Sequence, residues 1–174
     1  MASNPITELM NEFGQEVVER AMLNLGVYRT VNGKKRRAVA SDTLRKSLAF
    51  RYDNKYKRID FFAKGKAEDY AYYVENGRKP NSKKPPVEAI LEWMKIKKIR
   101  PRNSKGAFVK DANAMLSLAK KISWSIGKKG IKPLFYYRDA VDETMVDFDD
   151  RFAEALKQEI IIAIEENVVG KIKV

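Results

Sequence analysis

The stretch Tyr70–Arg78 and the proline pair that follows it place the strongest local limits on the fold. Its three tyrosines predict a short helix, and Asn76-Gly77 ends that helix because these two residues accept positive φ most easily. Pro85-Pro86 then allows only extended chain or the start of a new helix. The apolar spacing of residues 87–94 predicts a second helix, with Trp93 at the edge of its apolar face. We therefore expect two short helices joined by a polar loop.

Four other segments keep a matching order around this stretch: Ser41–Leu48 before it, then Leu118–Gly127, Gly130–Pro133 and Phe135–Ala140 after it. Together they resemble the tail-completion or head–tail joining (neck) proteins of tailed bacteriophages. In that family an aromatic-Ala-x-Tyr-Val-Glu-x-Gly-Arg segment precedes a proline pair and a tryptophan helix. The positions that carry the resemblance, as core residues or as contacts between subunits, are Tyr70, Tyr73, Glu75, Gly77, Arg78, Pro85, Pro86, Trp93, Pro133 and Phe135.

The resemblance implies a virion structural protein that forms an oligomeric ring at the neck or upper tail. Such a ring joins head to tail or completes the tail, after assembly in the host cytoplasm. Its expected partners are its own copies, portal or adaptor proteins or tail-tube proteins, and DNA that passes without sequence-specific contact. We expect no cofactor, no membrane partner and no enzymatic reaction.

Two interpretations of the central motif stay open. Its aromatic residues and Val74 are expected to pack the short helices onto a sheet. Glu75 and Arg78 either orient the turn or face another subunit.

The charges are separated along the chain, whose net charge is +12. Residues 28–66 carry 13 Lys/Arg against three Asp, giving +10, and residues 75–110 carry 11 Lys/Arg against three Glu, giving +8. Residues 139–166 reverse the sign, with 10 Asp/Glu against two basic residues, giving −8. A basic surface suits nucleic acid, whereas surfaces of opposite sign suit head-to-tail self-association. A solvated surface without a partner is the third interpretation.

Eight basic residues are candidates for contact with DNA or with another subunit: Lys34, Lys35, Arg36, Arg37, Lys97, Lys98, Arg100 and Arg102. The first four follow Asn32-Gly33, a strong hairpin signal, so we expect a basic tip on a hairpin or loop. Four acidic residues are candidates for the opposing partner face: Asp147, Asp149, Asp150 and Glu154.

Apolar spacing predicts an amphipathic helix over residues 5–25, which begins after Asn4 and ends at Gly26. Ser41–Ser47 predicts a short helical turn. Residues 48–52 and 56–62 are aromatic and partly alternating, which predicts an antiparallel strand pair.

The second half predicts a mobile basic loop at about 95–110, a helix over 111–126 ended by Gly127 and Gly130, and a long acidic helix over about 136–167. That last helix is long enough that we expect a break near Asp147–Asp150, and the tail from Val168 suggests a short strand. The expected fold is α+β, a small antiparallel sheet packed with several helices, in a single domain over 1–174.

The composition removes the most usual catalytic groups, because the chain has no cysteine and no histidine. It also has no apolar run long enough to span a membrane. A Mg²⁺-dependent nuclease stays as a minor alternative, with Asp60, Lys64, Lys66, Glu68 and Asp69 as its candidate residues. A non-specific DNA-binding protein that uses the basic segments is the other alternative.

Overall fold

The computed structural model describes residues 4–31, 34–37 and 42–172, with side chains described over 4–27 and 42–168. These residues form an α+β fold in which helices predominate and the strands pair as two antiparallel hairpins. The α+β prediction is confirmed.

The chain divides into two compact units that are each assembled from separated segments. Unit 1 takes Met1–Leu25, Arg45–Gly65 and Tyr136–Val174, and unit 2 takes Gly26–Leu44 and Lys66–Phe135. The single domain over 1–174 stays a prediction.

Unit 1 is built on α1 (Pro5–Gly26), which matches the helix predicted from spacing. Asn4 caps it, since its side-chain oxygen accepts a hydrogen bond from the Thr7 amide at 3.0 Å. Phe13 and Val17 lie on its buried face, with 4% and 0% of their surfaces exposed. The apolar periodicity therefore identified the face that enters the core.

Strands β3 (Leu48–Asp53) and β4 (Arg58–Ala63) form the hairpin of unit 1, paired from Leu48–Ala63 to Asp53–Arg58. The Asp53 carboxylate accepts the amides of Lys55 and Tyr56 at 3.0 and 3.2 Å, which holds the turn. The predicted strand pair is confirmed.

Helices α6 (Tyr136–Thr144) and α7 (Phe148–Ile172) complete unit 1. A 3-10 turn at Met145–Asp147 separates them, just before the predicted break. The ring of Phe13 meets that of Phe148 edge-on, with centroids 4.8 Å apart, so α7 packs against α1. The predicted C-terminal strand is wrong for residues 168–172, because α7 continues through Ile172; residues 173 and 174 lie outside the described part.

In unit 2, β1 (Tyr28–Val31) pairs with β2 (Lys34–Arg37), starting at Val31–Lys34. The predicted hairpin is confirmed for its strands, while Asn32-Gly33 and Ser41 lie outside the described residues. The four basic residues were expected at a tip, and this is wrong because the ladder begins at Lys34 and makes them a strand. The short helix α2 (Thr43–Ser47) follows, as predicted.

The core of unit 2 lies between α4 (Val87–Ile96) and α5 (Ala112–Lys129), where Ile90, Met94 and Ala119 are buried. Asp111 caps α5 by accepting the amides two and three positions later, at 3.1 and 3.0 Å. Helix α5 runs past Gly127 to Lys129 and ends at Gly130, so only the second predicted glycine ends it.

The segment between α4 and α5 contains a tight hairpin-like turn, and the mobility of the basic loop at about 95–110 stays a prediction. Arg102 and Phe108 form an isolated antiparallel bridge. The Asn103 side chain accepts the amides of Lys105 and Ala107 at 3.0 and 2.9 Å. The Arg102 guanidinium lies 4.1 Å from the centre of the Phe108 ring and donates to the Gly106 carbonyl oxygen at 2.9 Å. These contacts give the middle of the segment a defined conformation.

Candidate functional site

Two of the segments on which the family resemblance rests, the one that ends at Arg78 and the one from Gly130 to Pro133, meet in unit 2. Helix α3 (Glu68–Asn76) ends at Gly77, and Arg78 then pairs with Ile131. The Arg78 amide donates to the Ile131 carbonyl oxygen at 2.9 Å, and the Ile131 amide donates back at 3.0 Å. We call residues 74–80 and 130–135 together the motif clasp.

Glycine is required on both sides of this bridge. Gly77 and Gly130 have φ of 71° and 73°, in the region that side chains rarely adopt. A Cβ on Gly77 would run into the Ile131 carbonyl oxygen, and one on Gly130 would run into the Arg78 carbonyl oxygen. The two strands of the clasp approach this closely only because neither position has a side chain.

The clasp also covers the carboxyl end of α3. The Leu134 amide lies 3.0 and 3.2 Å from the carbonyl oxygens of Val74 and Glu75, and the Phe135 amide donates to Glu75 at 3.1 Å. Carbonyl groups in the last turn of a helix have no partner within the helix, so these bonds satisfy them. Pro133 and Phe135 therefore belong to the same small structure as Glu75, Gly77 and Arg78.

The Arg78 side chain holds the loop that leads to the proline pair. Its guanidinium lies 4.3 Å from the centre of the Tyr73 ring and donates to the Lys83 carbonyl oxygen. Pro85 and Pro86 are held through α5, because the Ser123 hydroxyl donates to the Pro85 carbonyl oxygen at 2.7 Å. Of the two interpretations of Arg78, the geometry supports the one in which it orients the turn.

The aromatic residues of the motif are not core residues, which corrects one expectation. Tyr70, Tyr73 and Trp93 expose 38%, 39% and 37% of their surfaces, and Ala71 is the buried residue of α3. Tyr70 and Tyr73 lie on the same side of this nine-residue helix, and their side chains were expected to pack inward. Partial burial raises the pKa of the Tyr70 phenol, so this group stays neutral at neutral pH.

The predicted basic residues have different environments. Lys97, Lys98 and Arg100 follow α4 and are exposed, whereas Arg102 is engaged with Phe108 as described above. Lys34, Lys35, Arg36 and Arg37 are placed only as the backbone of β2.

The four acidic candidates all lie in unit 1 and are exposed. Asp147 is in the 3-10 turn, and Asp149 and Asp150 lie in the first turn of α7, where the helix dipole favours negative charge. Glu154 lies 3.4 Å from the Lys157 ammonium group. The structure places these carboxylates along the solvent side of the α6–α7 junction.

Sequence reasoning missed a groove along α5 of unit 2. The groove has a volume of about 710 Å³, and its walls include Lys84, Val87, Ser117, Lys121 and Trp124. The signal available in the sequence was Trp124 between two lysine pairs, Lys120-Lys121 and Lys128-Lys129, on one helix.

The nuclease candidates do not converge on a metal site. The Asp60 carboxylate is bound by Arg51 at 3.2 Å and by Arg58 at 3.0 Å. Over the residues that the structure describes, no three acidic side chains are grouped so as to hold a metal ion. No helix in the described ranges is long and apolar enough to cross a membrane.

Comparison with protein-family models, with curated proteins and with solved structures finds no match for this chain.

Proposed function

We propose that this protein is a virion structural protein that forms an oligomeric ring at the neck or upper tail of a tailed bacteriophage. In that ring it joins head to tail or completes the tail. The observation that carries the proposal is the motif clasp, in which the segments behind the family resemblance pair through Arg78 and Ile131. The segments that carry the resemblance are far apart in sequence and yet form one structure. This is expected if the chain shares its fold with the family that it resembles.

The charge distribution supports self-assembly. Unit 2 has 22 Lys/Arg against 7 Asp/Glu, a net charge of +15, while unit 1 has 13 against 16, a net charge of −3. A ring repeats one heterologous contact, so each subunit needs two different and complementary surfaces. Oppositely charged surfaces give such a contact its orientation and speed its formation.

In the proposed mechanism the protein acts as a structural connector between virion components and catalyses no reaction. Basic residues of one copy, including Lys98 and Arg100, face the acidic group Asp147, Asp149 and Asp150 of the next copy. The remaining basic residues line a passage in which DNA contacts are made to phosphates without reading bases. Portal or adaptor proteins, or tail-tube proteins, bind the two faces of the ring.

The test is electron microscopy of the protein mixed with the head and tail proteins encoded beside it. Wild-type protein is expected to give rings on the connecting end of heads or tails. Reversal of the acidic group by Asp147→Lys, Asp149→Lys and Asp150→Lys should abolish the rings. Adding Lys98→Glu and Arg100→Glu to the same chain should restore them, since the opposite signs then meet again.

A matched control reverses two acids outside the proposed contact, Glu68→Lys and Asp69→Lys. This variant should still form rings. Particles in which the protein occurs singly, or not between the capsid shell and the tail, would contradict the proposal.

Non-specific DNA binding is the second candidate, because a unit of net charge +15 attracts any polyanion. Binding of this kind weakens steeply with salt. Tight, salt-sensitive DNA binding by the isolated protein, with no ring under any condition, would favour this candidate over the first.

A further inference from the structure

The far half of α7 exposes an apolar stripe. Leu156, Ile160, Ile164 and Val168 follow one another at intervals of four residues, so they form one line along the helix. They expose 41%, 51%, 57% and 53% of their surfaces, and every residue from 160 to 168 is exposed. Exposed apolar residues scattered singly need no explanation, but a continuous line of them marks an interaction surface.

A partner that covers this stripe would stabilise the far half of α7. The segment from Ile160 to Ile172 is about 20 Å long at 1.5 Å per residue. A helical segment of this length is marginal in water unless tertiary contacts support it. Burying one isoleucine side chain contributes about 1.5–3 kcal/mol, so a partner that covers the stripe stabilises the helix strongly.

The groove in unit 2 has the complementary properties. Val87 and Trp124 give it an apolar floor, and Trp124 exposes 50% of its surface. Lys84, Lys120 and Lys121 line it, and the Lys128 ammonium group lies 4.9 Å from the centre of the Trp124 ring. An apolar helix with an acidic edge is complementary to such a groove in both polarity and charge.

The stripe has that acidic edge. Residues 149–166 carry six Asp/Glu against Arg151 and Lys157, giving −4. Glu165 directly borders the stripe, since it lies three residues before Val168 on the helix surface. Apolar area and charge therefore both match between the stripe and the groove.

We infer that the far half of α7 of one copy docks in the Trp124 groove of the next copy. The stripe covers Val87 and Trp124, and Glu165 faces the groove lysines. The two surfaces are different patches, so the contact is heterologous and continues from copy to copy. This inference rests on the proposed ring, to which it adds a second contact between subunits beside the one between the basic residues and the acidic group.

The experiment is disulfide trapping, for which the chain is well suited because it contains no cysteine. One full-length variant carries Ile164→Cys on the stripe, and a second carries Ser117→Cys in the groove. The two proteins are mixed and oxidised mildly, and covalent heterodimers are measured by mass. Trapping accumulates even a weak contact, so the result does not depend on high affinity.

The matched control is Ile162→Cys, the same change two residues away on the opposite side of the helix. We expect the Ile164→Cys and Ser117→Cys mixture to give heterodimer several times faster than the Ile162→Cys and Ser117→Cys mixture. Adding Glu165→Lys should slow trapping by about two- to fivefold, as expected for loss of an exposed ion pair.

Equal trapping at positions 162 and 164 overturns the inference. A third variant carries both Ile164→Cys and Ser117→Cys, and a disulfide that forms only within one chain of this variant also overturns the inference. In a chain carrying Trp93→Phe, quenching of the remaining Trp124 fluorescence by a single-stranded oligonucleotide, together with equal trapping, would identify the groove as a nucleic-acid surface instead. If rings form at the neck without specific trapping, the docking of α7 in the groove is wrong and the proposed function stands. If trapping is specific but no rings form at the neck, the docking stands and the proposed function is wrong.

Discussion

Unit 1 and unit 2 handle their charges in opposite ways. In unit 1, Arg151 bridges Glu12 and Glu16 at 3.1 and 3.0 Å, and Arg51 and Arg58 share Asp60. Unit 2 has seven acidic residues for 22 basic ones, a net charge of +15. The charges of unit 1 are therefore nearly balanced, whereas unit 2 carries a large excess of positive charge.

The two units also differ in the hydrogen bonds that join residues far apart in sequence. Side chains do this in unit 1: the Tyr137 hydroxyl lies 3.2 and 3.0 Å from the carbonyl oxygens of Ala49 and Phe62. In unit 2 the backbone does it, through Arg78 and Ile131 in the motif clasp. Side chains also contribute in unit 2, where the Ser123 hydroxyl donates to the Pro85 carbonyl oxygen. The difference is that unit 2 adds a backbone connection between distant residues and carries a large excess of positive charge. Four substitutions test this difference.

The largest effect is expected in the core of unit 1. Phe13→Ala removes a ring that is 4% exposed and packs on Phe148, so it should cost about 3–5 kcal/mol of unfolding free energy. Denaturant unfolding measures the loss, and hydrogen exchange should show it in α1 and α7. Leu23→Ala on the same helix is the control, because Leu23 is 69% exposed. Similar losses for both variants would mean that α1 is not held by its buried face.

The second substitution breaks the backbone connection of unit 2. Gly77→Ala forces a Cβ against backbone atoms at positive φ and should cost about 2–4 kcal/mol. Gly106→Ala is the matched control in the same unit, since its φ is 81° but nothing lies within 4 Å of the added Cβ. Its cost should be about 1 kcal/mol. Thermal unfolding compares the two, and equal costs would show that the close approach in the clasp has no energetic consequence.

The elements that the sequence predicted well are those with local causes. Helix α1 has its cap at Asn4 and its apolar face within one segment, and β3 and β4 have the turn at Asp53 between them. Gly130 marks the end of α5 because its conformation is itself local.

The sequence did not predict features that depend on distant residues. Gly127 looked like a helix end, but it is buried inside α5, where a Cβ would meet Lys84 across the loop. The exposure of Tyr70 and Trp93 depends on what packs beside α3 and α4, which no local pattern contains. The sequence showed the two segments of the motif clasp, but their pairing could be seen only in the structure.

The third substitution tests whether the charges of unit 1 are satisfied internally. The hydrogen bond to Glu16, with smaller contributions from the charges of Glu16 and Glu12, raises the pKa of Arg151 above its ordinary value. A raised pKa means that the stabilisation is complete at lower pH and is lost only as strongly alkaline pH deprotonates the folded form. The deprotonation of Arg151 should therefore not make the free energy of unfolding depend on pH near neutrality.

Arg151→Ala leaves two carboxylates of α1 without their shared cation and should cost about 1–2 kcal/mol. Lys157→Ala is the control, because its pair with Glu154 is exposed, and it should cost less than about 0.5 kcal/mol. Urea unfolding at low salt gives both values. If the two losses are equal, the Arg151 bridge is no more than an ordinary surface pair.

Substitution of the exposed basic residues of unit 2 is expected to have the smallest effect on stability and the largest effect on binding to polyanions. Lys98→Gln with Arg100→Gln should leave the free energy of unfolding within about 0.5 kcal/mol of wild type, because both side chains lie in solvent. The same variant should elute from a heparin column at clearly lower salt, since it removes positive charge from the unit that carries the excess. Arg51→Gln with Arg58→Gln removes an equal charge from unit 1, but these cations already face Asp60, so elution should change less. If both variants shift elution equally, net charge alone governs binding to polyanions, and the difference between the two units has no functional meaning.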